Sequence, residues 1–309
     1  MTNKNTYRVK NWPAYNRSLI NRGNLTIWFD EGSIAQWAST EKNGKKGRDQ
    51  TYSDHAIECA LTIRNLFNLT LRKTQGFLEG MKAAMNLPIE IPDYTTLSRR
   101  AGSLKINLGN INWNRPVNIV IDATGLKVYG EGEWKMRTHG KSKRRTWRKM
   151  HIAIDRETQE ITSISLTESN VHDSKETKNL LSDLSNIATV TGDKGYDNKN
   201  GYGPIAAKGA RAIIPVRSGA ALKRKNISWG DVERNRIVKE THRLGKDAWK
   251  YGSGYTKRVL VETAIGRYKQ TNGARLHSKK LVNQQTEVRI GAKIINKMTH
   301  LGMPESYKI

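Results

Sequence analysis

Apolar positions change their spacing along the chain. Up to about residue 50 the sequence is polar, with scattered Trp and basic residues, and ends in Lys45-Lys46-Gly47-Arg48. An irregular or partly ordered arm is expected there. From 54 to 67 the apolar residues take up helical spacing. A second helix is predicted from Thr70, where Leu71, Phe77, Leu78, Met81 and Met85 recur at that period. Leu87-Pro88 and Ile91-Pro92 interrupt it. Asp93 is then placed to cap a short helix, 94–101, that carries Arg99 and Arg100. Helix, turn and capped basic helix outline a candidate helix-turn-helix near 70–101. An ordinary helical bundle with two surface arginines accounts for the same pattern.

Near Asn107 the texture turns to period two and to β-branched runs. Val117-Asn118-Ile119-Val120-Ile121-Asp122 predicts a buried strand. Residues 147–155, where Met150, Ile152 and Ile154 alternate, predict a second strand, and 161–166 a third. A helix over 174–184, a strand over 188–193, a helix over 198–208 and a strand over 211–216 follow. The remainder reads as helical, with breaks at Gly230, Gly252-Ser253-Gly254 and Gly273. Three consecutive strands followed by alternating helix and strand predict a mixed α/β fold. The expected division is a helical region, 1–105, and an α/β domain, 106–309.

Composition narrows the function classes. The chain has 309 residues and a formal net charge of +26, with 54 Lys and Arg against 28 Asp and Glu. Such a charge points to a polyanion, and its spread through a folded chain favours nucleic acid over a membrane surface. No stretch approaches the ~18 apolar residues of a membrane span. No apolar signal core follows Met1, so a cytoplasmic, nucleoid-associated protein is expected. Cys59 is the single cysteine. It excludes an intrachain disulfide and a zinc site of several Cys, and its apolar helical run reads as core.

Three carboxylates stand out. Asp122 follows a β-branched run and precedes Ala123-Thr124-Gly125. Burying it unpaired costs several kcal/mol, so it needs a cation, a metal or several donors. Asp193 closes a short strand before Lys194-Gly195-Tyr196. Glu262 lies in a helical stretch where Tyr255, Arg258, Glu262 and Lys269 are spaced Tyr-x2-Arg-x3-Glu-x6-Lys. On a helix Arg258, Glu262 and Lys269 share one face, while Leu260, Val261 and Ala264 form the other. Turn-capping aspartates and a surface Arg–Glu pair account for each feature taken alone. Together, three carboxylates on a basic chain suit a pair of hard divalent cations driving in-line phosphoryl transfer.

Other positions carry weaker signals. Between Lys135 and Lys149 lie eight basic residues and no acid, among them Arg144, Arg145, Arg148 and Lys149. A loop that contacts DNA backbone beside Asp122 is expected there, against a plain solvated turn. His172 reads as structural rather than catalytic, Trp249 as core rather than a stacking platform, and Gly252-Ser253-Gly254 as a flexible entry to the Glu262 helix.

These residues resemble a known family, the transposases of bacterial insertion sequences in the DDE class. Ile121-Asp122-Ala123-Thr124-Gly125 resembles its first-Asp motif, and Asp193-Lys194-Gly195-Tyr196 its second. Tyr255, Arg258, Glu262 and Lys269 match its Y-R-E-K signature in spacing, and Asn170-Val171-His172-Asp173 resembles its Asn-x-His-Asp. The likeness runs over about 107–300. It implies a ribonuclease H-like mixed sheet flanked by helices, preceded by a mainly helical DNA-binding region. It implies Asp122, Asp193 and Glu262 as catalytic metal ligands for two Mg2+, with Mn2+ as a substitute. Tyr255, Arg258 and Lys269 then contact phosphates of the element ends.

The function so implied is cleavage of terminal inverted repeats and joining of the 3′-hydroxyl ends to target DNA, by a homodimer on double-stranded DNA. A ribonuclease H-like nuclease that only hydrolyses, and a catalytically silent DNA-binding regulator, are the alternatives. The charge is unevenly divided. Residues 1–105 hold 16 basic and 9 acidic residues, net +7, which leaves +19 of the +26 on 106–309. The expected catalytic part therefore carries most of the polyanion-binding charge.

Overall fold

The computed structural model describes residues 7–40, 50–109, 112–129 and 146–309. Two compact units are present: 1–106 together with 293–309, and 107–292. The sequence boundary at 105/106 assigned 293–309 to the C-terminal domain, whereas this segment clusters with the N-terminal unit.

In the first unit β1 (Tyr7–Val9) is followed by α1 (Trp12–Arg22), α2 (Leu25–Trp28) and α3 (Glu31–Ala35). The expected irregular arm is thus largely helical up to residue 35. Two features override its polar composition. Asn24 and Asp30 cap α2 and α3 by accepting hydrogen bonds from the Thr26 and Ser33 amides. Trp28, Phe29 and Trp37 are buried, the last two in edge contact with ring centroids 5.5 Å apart. Next come α4 (Asp54–Leu66), α5 (Leu71–Met85) and α6 (Tyr94–Ala101), capped by Ser53, Thr70 and Asp93 as helix-start residues should be. These helices pack on one another through Ile57, Leu61, Leu78, Met81 and Leu97. Met85, at the end of the α5 pattern, is exposed.

The second unit is built on a five-stranded mixed sheet. Its strands are β2 (Val117–Tyr129), β3 (Thr146–Asp155), β4 (Ile161–Glu168), β5 (Ile187–Thr191) and β6 (Arg211–Ile213), in the order β4-β3-β2-β5-β6. β2, β3 and β4 are antiparallel neighbours, while β5 lies parallel to β2 and β6 parallel to β5. This is the mixed α/β sheet flanked by helices that the ribonuclease H-like resemblance implies. The helices are α7 (Thr177–Leu181), α8 (Lys199–Ala207), α9 (Trp229–Leu244), α10 (Lys246–Gly252) and α11 (Val259–Asn272). α12 (Leu281–Leu301) follows, with the unit boundary falling inside it, and β7 (Ser306–Lys308) pairs with β1 in the first unit.

Period two decides the sheet's faces. Val117, Ile119 and Ile121, with Ala153 and Val190, pack with Leu180, Leu181, Tyr202, Ile205, Ile237 and Trp249 of the helices. The intervening residues of β2 look the other way, where α11 crosses β2 and β3 with Val261, Ala264 and Tyr268 buried.

Three sequence expectations change here. β2 does not end at Asp122 but runs on to Tyr129, because 123–129 stay paired with β3 and Leu126 is buried. β6 stops at Ile213, short of the expected 216. Gly230 does not break a helix; it lies in the first turn of α9. A Cβ there would meet Gly203 N at 2.9 Å, so its bare backbone is what lets α9 sit against α8. Among the described residues no helix is long and apolar enough to cross a membrane.

Candidate active site

Asp122 stands in the middle of β2, opposite Ile152 of β3, on the sheet face that α11 covers. Its Oδ1 accepts a hydrogen bond from the Ala123 amide at 2.8 Å. Thr124, two residues on, shares that face by strand alternation. Asp193 follows β5 and caps the short 3-10 turn Lys194–Tyr196, its Oδ1 accepting from the Gly195 amide at 2.8 Å. β5 is parallel to β2 and adjacent to it, so the two aspartates leave the same edge of the sheet. Glu262 lies in the first turn of α11, directly after the 3-10 turn Tyr255–Arg258.

Arg258 links these elements. Its Nη1 donates to Asp122 Oδ2 at 3.1 Å, and its Nη2 donates to Glu262 Oε1. The i,i+4 spacing of Arg258 and Glu262 survives the change from 3-10 to α geometry between them. Lys269 extends from the same helix to Thr124, its Nζ donating to Oγ1 at 2.6 Å. The helix rests on Val261, Ala264 and Tyr268, so its polar residues stay on the rim. Tyr255 is half-buried, its ring 6.3 Å from that of Trp249. Trp249 itself is core, donating from Nε1 to Glu240 Oε2 at 3.1 Å.

The electrostatics follow from this arrangement. Burial pushes the Asp122 carboxyl above its ordinary value. The Ala123 amide and the Arg258 guanidinium pull it down, and the charges of Asp193 and Glu262 push it up again. The Tyr255 phenol is raised by burial and by Asp193, against the opposing pull of Arg258. Desolvation works against the Arg258 charge, but Tyr255, Glu262 and Asp122 outweigh it and hold the guanidinium firmly protonated. Asp122 therefore sits in a negative field that a cation relieves, and Arg258 relieves it.

Oxygen carboxylates without Cys or His are the donor set of a hard cation such as Mg2+. Among the described residues, however, no three His, Cys, Asp or Glu side chains stand close enough to hold one ion as they are placed. The guanidinium occupies the space between Asp122 and Glu262.

The other sequence candidates fall elsewhere. Arg100 is not a surface arginine. It is buried, with Nη1 donating to the Tyr52 carbonyl at 2.9 Å and Nη2 to Asp54, and it ties α6 to the start of α4. Arg99 is exposed and touches Thr96. Arg148 and Lys149 lie on β3 rather than in a loop. Arg148 donates to Glu168 and, at 3.1 Å, to Gln284; Lys149 pairs with Asp173 at 3.0 Å. Arg144, Arg145 and the stretch from Lys135 to that point lie outside the described residues. His172 caps the 3-10 turn Asp173–Glu176, its Nδ1 accepting from the Ser174 amide. Cys59 is buried, which raises its thiol to about 11. Sequence reasoning missed Thr124 as the partner of Lys269; its i+2 relation to Asp122 on a strand was the available signal.

A family model described as Transposase DDE domain matches residues 113–297, and a second of the same description matches residues 20–131. Among solved structures the chain is similar to a piggyBac transposase in a synaptic complex with hairpin DNA. The identity is 11% and the TM-score 0.39, over 91% of this chain and 73% of that one.

Proposed function

The chain belongs to the DDE transposases, and from that premise we propose that it cleaves the ends of a mobile element and joins their 3′-hydroxyls to target DNA. The observation that carries this reading is Arg258 bridging Asp122 and Glu262, with the charge of Asp193 felt at Asp122. Asp122, Asp193 and Glu262 would hold two Mg2+ ions. When bound, such ions activate a water or 3′-hydroxyl and stabilise the leaving oxygen of an in-line displacement.

The chain's own residues do the rest. Arg258 neutralises the carboxylates while the site waits and presents a planar guanidinium suited to a phosphate. Lys269, held to the strand by Thr124, sets a second positive charge seven residues from Glu262 on the same helix. Tyr255 closes the side of the site against Trp249. The helical N-terminal unit binds the terminal inverted repeats, and Arg99 is its exposed basic candidate on α6. Two copies hold both ends together on double-stranded DNA.

The test is an in vitro reaction with Mg2+ on plasmid DNA carrying the element ends. Wild-type protein should yield joined products. Asp122→Ala, Asp193→Ala and Glu262→Ala should each abolish cleavage and joining while end binding persists. Full cleavage by any one of them removes that residue from the triad. Hydrolysis without joining by the wild type makes the protein a nuclease.

A further inference from the structure

The 3-10 turn Asp173–Glu176 packs against the turn Lys194–Tyr196 that follows Asp193. Around this junction are buried polar atoms with no hydrogen-bond partner: His151 Nδ1 on β3, Asp173 Oδ1, Thr177 Oγ1 one helical turn later, and the Tyr196 hydroxyl. His151 and Tyr196 are almost completely buried. His151 Nε2 lies 2.9 Å from Thr167 Oγ1, so that side of the ring is satisfied. Its Nδ1 is 4.0 Å from Asp173 Oδ1. That gap is too wide for a direct hydrogen bond and suits one bridging water. Lys149 anchors the same Asp173 oxygen at 3.0 Å and the Val171 carbonyl at 2.7 Å.

Tyr196 has little freedom to seek another partner. A Cβ on Gly192 would lie 3.0 Å from Tyr196 Cδ2, and one on Gly201 would lie 2.1 Å from the Tyr196 carbonyl oxygen. Glycine at both places lets the neighbouring backbone close on the tyrosine. Burial, and next the charges of Asp173, Asp122 and Asp193, push the phenol's ionisation far above its ordinary range. The hydroxyl therefore remains a donor, in the field of those carboxylates. Leaving several buried polar atoms unpaired in one place is costly, and internal water with two to four polar partners is the usual remedy.

We propose that these atoms enclose buried water behind Asp193 and Asp122, and that Tyr196 acts through it as a positioning residue that holds the two carboxylates for metal binding. The proposal rests on the metal-ligand reading above. It gives the Asn170–Asp173 and Asp193–Tyr196 motifs one shared task, which the chemistry of the triad alone leaves unassigned.

The test measures Mn2+ binding to the full chain without DNA, by loss of the free-ion electron paramagnetic resonance signal, beside the melting temperature. Tyr196→Phe, which removes only the hydroxyl, should weaken Mn2+ binding by about tenfold or more, as outer partners of metal ligands do. His151→Gln should shift it in the same direction. Tyr202→Phe is the structural control: its hydroxyl lies 3.4 Å from the Ile214 carbonyl on the same face of the sheet, so Mn2+ affinity should match wild type. Affinity within twofold of wild type in both Tyr196→Phe and His151→Gln overturns the proposal. Asp193→Asn separates the two readings. If it binds Mn2+ like wild type, the metal-ligand assignment fails; if it loses Mn2+ while Tyr196→Phe does not, only the positioning role fails.

Discussion

Asp122 shows how far the site is built at the expense of the fold. Its carboxyl is raised above 3.8 by burial and by two neighbouring carboxylates, even with Arg258 at 3.1 Å. A raised carboxyl favours the folded state only when protonated. That contribution is complete below 3.8, the unfolded value, and is lost as pH rises through the higher folded value. At neutral pH the ionised group is thus a net burden on the metal-free protein. Asp122→Asn is expected to melt at a higher temperature than wild type at pH 7 without metal, and the gap should close as pH falls toward the ordinary carboxylate range. A lower melting temperature at pH 7 would show that the Arg258 attraction outweighs burial and repulsion. Gain of stability with loss of activity is the usual trade at such a site.

At the scale of elements, α6 divides the work of its two arginines by face. Leu97, Arg100 and Ala101 point inward and Arg99 outward. Arg100→Ala removes charged hydrogen bonds from the Tyr52 carbonyl and Asp54, and should cost about 1–3 kcal/mol in urea unfolding. Arg99→Ala should stay within roughly 0.5 kcal/mol of wild type. Equal losses would mean that Arg100 carries nothing structural. Its burial was not legible in the sequence, because the partners Tyr52 and Asp54 belong to another helix's start and no local spacing announces them. Periodicity did reveal the strands and α4, α5 and α6, since apolar spacing and caps are local. It failed at the short N-terminal helices, which rest on buried Trp28 and Trp37, and at Gly230, whose role is set by α8. At the site, the face shared by Arg258, Glu262 and Lys269 was legible from helical spacing. The guanidinium's reach to Asp122 was not, because the two are 136 positions apart.

The chain's two ends meet in the N-terminal unit, and that pairing has a measurable consequence. β7 pairs with β1 in register Tyr7↔Lys308, Asn11 Nδ2 donates to the Met303 carbonyl at 3.0 Å, and Lys293 pairs with Glu58 of α4. Ile294, Ile295 and Met298 are buried in the segment of α12 that belongs to this unit. Burial of each such side chain contributes about 1.5–3 kcal/mol. Three of them rival the roughly 5–15 kcal/mol that holds an ordinary domain folded. Residues 293–309 are therefore part of the helical unit's core, although the chain reaches them only after the whole catalytic sheet. Deleting them should strip amide hydrogen-exchange protection from α4, α5 and α6 while β2, β3 and β5 keep theirs, since the sheet's own core lies within 107–292. Unchanged protection in α4–α6 would show that the C-terminal segment decorates that unit and does not complete it. If the helical unit is the part that reads element ends, the same deletion should abolish end binding in a gel-shift assay through unfolding, without touching a DNA contact.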